Sequence, residues 1–409
     1  MADTPIDPLL RTEASSQRAT FLELFLDLVF VFALTRVSQR LVEDFTSDQG
    51  ILLSEAGQTL LLFLALWFIW ASTAWATSTQ EPETLAVQGV VVVTVVCSMV
   101  VAVALPEGFG DRGLIFAGAY LAVQYGRVGF FLLATRGRSV PGDPDTPRRV
   151  LFWAGMTTLP WLVGGLAGEN VLRGVFWSIA IGVDYLGFTL GWPTPRLGRA
   201  RHGGQPFAGE HLAERYQQFL LIALGELILV TGISFSSTEG AAFTPARSAA
   251  LGLALLTTVL LWRIYFYRAG HVLPNAIIQA RDPTRLGLAA AYTHLVMIAG
   301  IVLTGVGYEL SITHPFGHTA PAWLIAILGG PALFLAGRAG FEFQVFARVS
   351  WTRVAGLVLL AASAVVVPVT TRLPLLTVAG VTAAVLLGVA LSDLRRAWGQ
   401  SPEQPAPPV

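Results

Sequence analysis

Lysine is missing altogether: all 26 basic residues are arginine, and 26 acidic residues balance them to a formal net charge of zero. With no excess of either sign, there is no electrostatic footprint for nucleic acid or for a strongly charged partner. Cysteine is nearly missing too. Cys97, inside the apolar run VVVTVVCSMVV, is the single one, which excludes a disulfide within the chain and any metal site built on cysteine pairs. Charge of any kind is scarce, at 13% against 54% hydrophobic residues, and the mean hydropathy of +0.63 is too high for a soluble chain of 409 residues. The apolar runs also lack a period of two, which speaks against a membrane barrel. The first twenty residues are polar, with no apolar run ahead of a small-residue cleavage site, so the first apolar helix is expected to do the targeting.

What remains is a series of apolar stretches of spanning length. Proline, glycine and arginine clusters divide them into twelve expected membrane helices at 21–40, 52–75, 85–105, 112–134, 149–168, 172–192, 213–235, 247–268, 286–307, 321–341, 351–370 and 374–395. The expected fold is an all-α integral membrane protein. Loops after even-numbered spans, with the C-terminal end, hold fourteen arginines, whereas those after odd-numbered spans hold five: Arg40, Arg112, Arg173, Arg247 and Arg372. By the positive-inside rule both termini are expected in the cytoplasm of a cell whose inner membrane the chain crosses, with Arg11 and Arg18 in agreement.

The second six spans echo the first six. FLDLVFVFAL around Asp27 matches LGELILVTGI around Glu226 at an offset of 199, and WFIW (67–70) matches WRIY (262–265) at 195. YGRVGFF around Arg127 matches AGRAGFE around Arg338 at 211, and Arg149 matches Arg353 at 204. The order is preserved, as a duplication requires. The expected organisation is a cytoplasmic tail (1–20), a first six-helix repeat (21–192), a linker (193–212), a second repeat (213–396) and a disordered Pro-rich tail (397–409). Repeats with an even number of spans are parallel, which predicts a pseudo-two-fold axis along the membrane normal.

Charges inside the spans carry the chemical interest, because on translocon scales each one costs roughly 2.5–3.5 kcal/mol at the bilayer centre. FLELFLDLVFVFAL (21–34) puts Glu23 and Asp27 one turn apart in the first span, with Ser38 returning to their face. The fourth span carries Tyr120, Gln124 and Arg127; the sixth, Asp184; the seventh, Arg215 and Glu226; the eighth, Arg263; the tenth, Arg338 and Glu342. Each half thus offers one deep acid, Asp27 or Glu226, from its first span and one arginine, Arg127 or Arg338, from its fourth. Two readings stay open: structural ion pairs within each half, or acids that exchange protons beside arginines that hold an anionic group.

Weaker features read blandly. His211 and Glu214 suggest a solvated helix cap, His294 a hydrogen-bonded core residue, and His314 with His318 an external pair lacking a carboxylate. LVGGLAG and AILGG read as close helix packing rather than phosphate cradles, since no strand precedes them. No Ser/His/Asp triad, Walker loop or HExxH motif stands out, and no cofactor is implied.

Three stretches, ELFLDLVFVFALTRVS (23–38), HLAERYQQFLLIALGELIL (211–229) and LLWRIYFY (260–267), resemble the bacterial low-temperature-requirement A (LtrA) family of membrane proteins, over nearly the whole chain up to the Pro-rich tail. Leu26 stands where the family usually has Phe. In the eighth span, where the family usually reads LWWxYFD, Arg263 replaces a Trp and Tyr267 the acid. The resemblance implies a multi-pass bacterial protein linked by its family name to growth in the cold. From the residues themselves, the expected function is proton-coupled secondary transport of a small solute through Asp27 and Glu226, with Glu23 as modulator and Arg127, Arg215 and Arg338 as substrate or counter-charge groups. The alternative is a non-transporting membrane protein, either a lipid-linked enzyme or a structural cold- or stress-adaptation factor, whose buried charges are ion pairs. Expected partners are the lipid bilayer and the solute, and a homo-oligomer is compatible with either reading.

Overall fold

Apolar runs of this length, with capping residues at their heads, form helices, and a computed structural model of the protein shows no strand among the residues it describes. These are 18–46, 52–81, 83–134, 143, 145–200, 208–237, 243–317, 320–370, 373–398 and 403–408. Arg11, His318, Arg372 and residues 201–207 of the linker lie outside them.

Each of the twelve expected stretches is helical: α1 (Phe21–Thr46), α2 (Leu52–Thr79), α3 (Leu85–Ala104), α4 (Gly113–Ala134), α5 (Thr146–Leu166), α6 (Asn170–Leu190), α7 (Gly209–Ser236), α8 (Pro245–Tyr265), α10 (Pro283–Thr313), α11 (Pro321–Leu324) continuing into α12 (Gly330–Phe346), α13 (Trp351–Thr370) and α14 (Leu375–Ala397). A short helix between α8 and α10, α9 (His271–Gln279), has no counterpart in the expectations. Thr84, Thr244 and Asp282 cap α3, α8 and α10 by accepting the backbone N–H three residues on. Two five-residue π-helical segments occur, Phe266–Gly270 after α8 and Ile325–Gly329 between α11 and α12.

Among the described residues ten helical runs are long and apolar enough to cross a membrane by length and composition. α1 and α5 are the expected spans outside that set; α1 carries Glu23, Asp27, Arg36 and Arg40, and α5 carries Arg148, Arg149 and an internal Pro160. The protein is a polytopic all-α membrane protein. It divides into two units, one of Met1–Val37 with Gly57–Arg215, the other of Ser38–Ala56 with Tyr216–Val409, so the boundary falls inside α1 and inside α7.

Within the first unit, α4 packs on α3 and α5, and α5 on α6. Their core is aromatic: Tyr120 lies 4.3 Å from Trp161, Trp161 lies 5.3 Å from Trp177, and Phe116 stacks on Trp177 at 5.3 Å, centroid to centroid. Gly164 makes this possible, since a Cβ there would sit 2.5 Å from Trp177 Cδ1. Within the second unit α10 crosses α12 at backbone contact, where a Cβ on Gly330 would meet Thr304 N at 2.5 Å. LVGGLAG and AILGG are therefore packing surfaces. The Pro-rich tail has no regular structure over 403–408, yet the Ala406 N–H donates to Val345 O at the end of α12, and Glu403 pairs with Arg348.

Candidate functional site

Helical periodicity puts Glu23 and Asp27 on one face of α1 and His211 and Arg215 on one face of α7, each pair four residues apart. In the first unit these faces meet. His211 Nε2 lies 3.1 Å from Glu23 Oε2, and both terminal nitrogens of Arg215 donate to Asp27 at 2.7 Å; each pair is separated by 188 residues. The shared separation means that the two helices run parallel here. All four side chains are buried, and the rest of their hydrogen bonding is internal. Trp70 Nε1 donates to Asp27 at 2.9 Å, while Thr20 donates to Glu23 from its amide at 2.9 Å and its hydroxyl at 3.0 Å. Ser78 Oγ lies 3.0 Å from His211 Nδ1 and gives its own proton to Ala74 O at 2.7 Å. The imidazole thus lies between a hydroxyl on one ring nitrogen and a carboxylate on the other. His211 is not the solvated cap expected from sequence, because α1 and α2 close over it.

A second polar chain runs along α4. Arg127 donates to Ser72 Oγ at 2.6 Å, to Thr73 Oγ1 at 3.3 Å and to Gln124 Oε1 at 2.7 Å; Gln124 reaches Tyr120 at 3.5 Å, and Tyr120 donates to Asp184 Oδ2 at 2.7 Å. The expected stripe of Tyr120, Gln124 and Arg127 thus ends on the carboxylate of α6. Among the described residues Arg127 makes no ion pair.

In the second unit Ser38 Oγ donates to Glu226 Oε1 at 2.8 Å, again across 188 residues, and Glu226 Oε2 has no hydrogen-bond partner among the described residues. Glu226 is 0% exposed, and Glu309 is near enough to act on it electrostatically. Arg338 donates to Ile264 O at 3.0 Å and Tyr267 O at 2.7 Å, where α8 gives way to the π segment, and lies 3.7 Å from Glu342. Arg353 continues the network, 3.6 Å from Glu342 and 2.6 Å from Asp393. Arg263 lies half-buried, its guanidinium 5.1 Å from the Tyr267 ring centre, so the two departures from the family pattern touch each other. His294 is a core residue: its Nδ1 donates to Ala290 O at 2.7 Å, and its Nε2 lies 2.8 Å from the Tyr265 hydroxyl.

Neither deep acid meets an arginine of the fourth span in its half: Asp27 holds Arg215, and Glu226 holds Ser38. The fourth-span arginines instead bind the second helix of their own unit. Arg127 contacts Ser72 and Arg338 contacts Tyr267, positions separated by the same 195 residues as WFIW and WRIY. The roles of His211, Trp70, Ser78, Arg353 and Asp393 were not visible in the sequence. The matching four-residue spacings of Glu23/Asp27 and His211/Arg215 were the one signal that could have joined the first cluster.

Two arginines at helix starts are occupied by carbonyls. Arg173 donates to Gly164 O, Ala167 O, Gly108 O and Gly110 O at 2.6–3.2 Å, and Arg247 donates to Phe235 O, Ser234 O and Ile312 O at 2.8–3.4 Å.

Comparison with known proteins agrees with this architecture and the helix motifs. The model of the bacterial low temperature requirement A protein (LtrA) family matches residues 18–391. An uncharacterized protein (RA0937) of Rhizobium meliloti (strain 1021) is 38% identical over 397 residues, covering 95% of this chain and 93% of that protein. No solved structure matches the chain. The protein therefore belongs to the bacterial low temperature requirement A family.

Proposed function

We propose that this LtrA-family protein is a proton-coupled secondary transporter of a small solute in the bacterial inner membrane, with both termini cytoplasmic. The observation that carries the reading is Glu226, a fully buried carboxyl group whose hydrogen-bond partner is the Ser38 hydroxyl and whose second oxygen has none. A carboxylate with no cation beside it is costly in an apolar interior, so Glu226 holds a proton while buried and gives it up when water reaches it. The cluster of Glu23, Asp27, His211 and Arg215 is the second exchange site. Within it His211 faces Glu23 and Arg215 holds Asp27. Arg127, held by hydroxyls and an amide, keeps its full charge for an anionic group of the solute. Arg338, Glu342 and Asp184 already have partners that fix helix to helix, while Arg263 rests on the Tyr267 ring four residues on, and we read all four as structural. The matched contacts of Arg127 and Arg338 favour a duplicated six-helix origin, and the buried, carbonyl-bound Arg173 and Arg247 leave the positive-inside contrast sharper.

The test is the full chain in liposomes with an internal pH dye, challenged with amino acids, organic anions, polyamines and drugs. One compound should drive proton flux, and Glu226→Gln should abolish it. A silent panel, together with undiminished growth in the cold of a deletion strain carrying Glu226→Gln or Asp27→Asn, would sink the proposal.

A second reading, a non-transporting membrane protein, is favoured by one observation: Asp27 is saturated by Arg215 and Trp70, as in a structural pair. It expects the double substitution Asp27→Asn/Arg215→Gln to retain function.

A further inference from the structure

We propose that the outer groove between α13 and α14 is a binding site for one anionic glycerophospholipid. The groove has a volume of about 490 Å³, within the ~300–1,000 Å³ of ligand sites. Its walls are Ala355, Gly356 and Leu359 of α13 and Ala384, Val385 and Gly388 of α14, so it offers an acyl chain small apolar residues and no charge. The helices touch at Gly356, where a Cβ would meet Val389 Cγ2 at 2.8 Å, whereas a Cβ on Gly388 would meet nothing within 4 Å. The groove is thus floored by a tight helix contact and open above it.

One end is polar. Thr352 and Ser392 close the lining there, and helical spacing carries the α14 face from Gly388 and Ser392 directly to Arg395 and Arg396 in the last turn. Arg396 reaches across to the residue before α13, donating to Ser350 Oγ at 2.7 Å, and Arg395 is exposed with no ion pair among the described residues. Trp351 and Trp398, 70% and 82% exposed, flank this end as interfacial anchors do, which sets it at headgroup depth. A cationic mouth at headgroup depth over an uncharged groove complements a phosphate headgroup with its acyl chain. The occupant is therefore a lipid rather than a soluble phosphate, which would leave the groove empty, and rather than a second copy of the chain, which would need an anionic partner for Arg395.

The test is native mass spectrometry of the full chain in detergent, titrated with dioleoyl phosphatidylglycerol or dioleoyl phosphatidylcholine, which share their acyl chains. One phosphatidylglycerol should be retained in preference. Arg395→Gln/Arg396→Gln should lower that preference roughly twenty-fivefold, about fivefold per arginine. Gly388→Leu, which fills open space, should weaken retention of both lipids, and glycerol phosphate should not displace the bound one. An unchanged preference in the double arginine variant, or unchanged retention in Gly388→Leu, would overturn the proposal. So would a wild-type dimer that Gly388→Leu dissociates, since the groove would then be an interface between copies.

Discussion

Asp27 and Arg215, 188 residues apart in the chain, form a two-armed ion pair with both arms at 2.7 Å and neither residue open to solvent. Removing one partner strands the other charge in the interior. Arg215→Met should therefore cost about 3–5 kcal/mol of stability, while Asp27→Asn/Arg215→Met should recover most of it. Thermal unfolding of the detergent-solubilised variants gives the comparison; a double variant no more stable than Arg215→Met would mean that the pair is not an isolated unit.

Glu226→Gln keeps the shape and the Ser38 contact without the titrating group. The variant should unfold within about 1 kcal/mol of the parent, since one neutral hydrogen bond contributes on that scale. It should nevertheless carry no proton flux. A variant that unfolds several kcal/mol early would make Glu226 a structural residue.

Arg173 serves four backbone carbonyls with a planar fork of donors, which an ammonium cannot match. Arg173→Lys should lower stability by about 2–3 kcal/mol, with Arg173→Leu worse, as orphaned buried carbonyls imply. Equal melting of Arg173→Lys and the parent would contradict the contact set.

Gly164 faces Trp177 with no room for a side chain. Gly164→Val should cost about 1–3 kcal/mol through overpacking, and Trp177→Leu in the same chain should restore part of it. Tryptophan fluorescence alongside the melting curve separates repacking from global loss.

The long apolar helices were legible in the sequence because length and lack of alternation leave few alternatives, and the acids were legible because Glu23, Asp27 and Glu226 interrupt otherwise apolar runs. What each acid touches was not. Partners such as His211 and Ser38 come from helices far away in the chain, and hydropathy says nothing about which faces meet. His211 departs from the expected solvated cap because, although a histidine in the first turn of a helix is ordinarily wet, tertiary packing decides here. The π segment FYRAG (266–270) has no composition that distinguishes it from ordinary helix, and its carbonyl partner Arg338 is visible only once the fold is known.

Arg173 also sets an order of events. Its four carbonyls come from two separate turns, 108–110 between α3 and α4 and 164–167 at the end of α5. Until both helical hairpins have emerged and docked, the guanidinium and the carbonyls lack one another. A nascent chain that stops short of α6 therefore holds two turns whose carbonyls lack this donor, and the arrival of α6 supplies it to both at once.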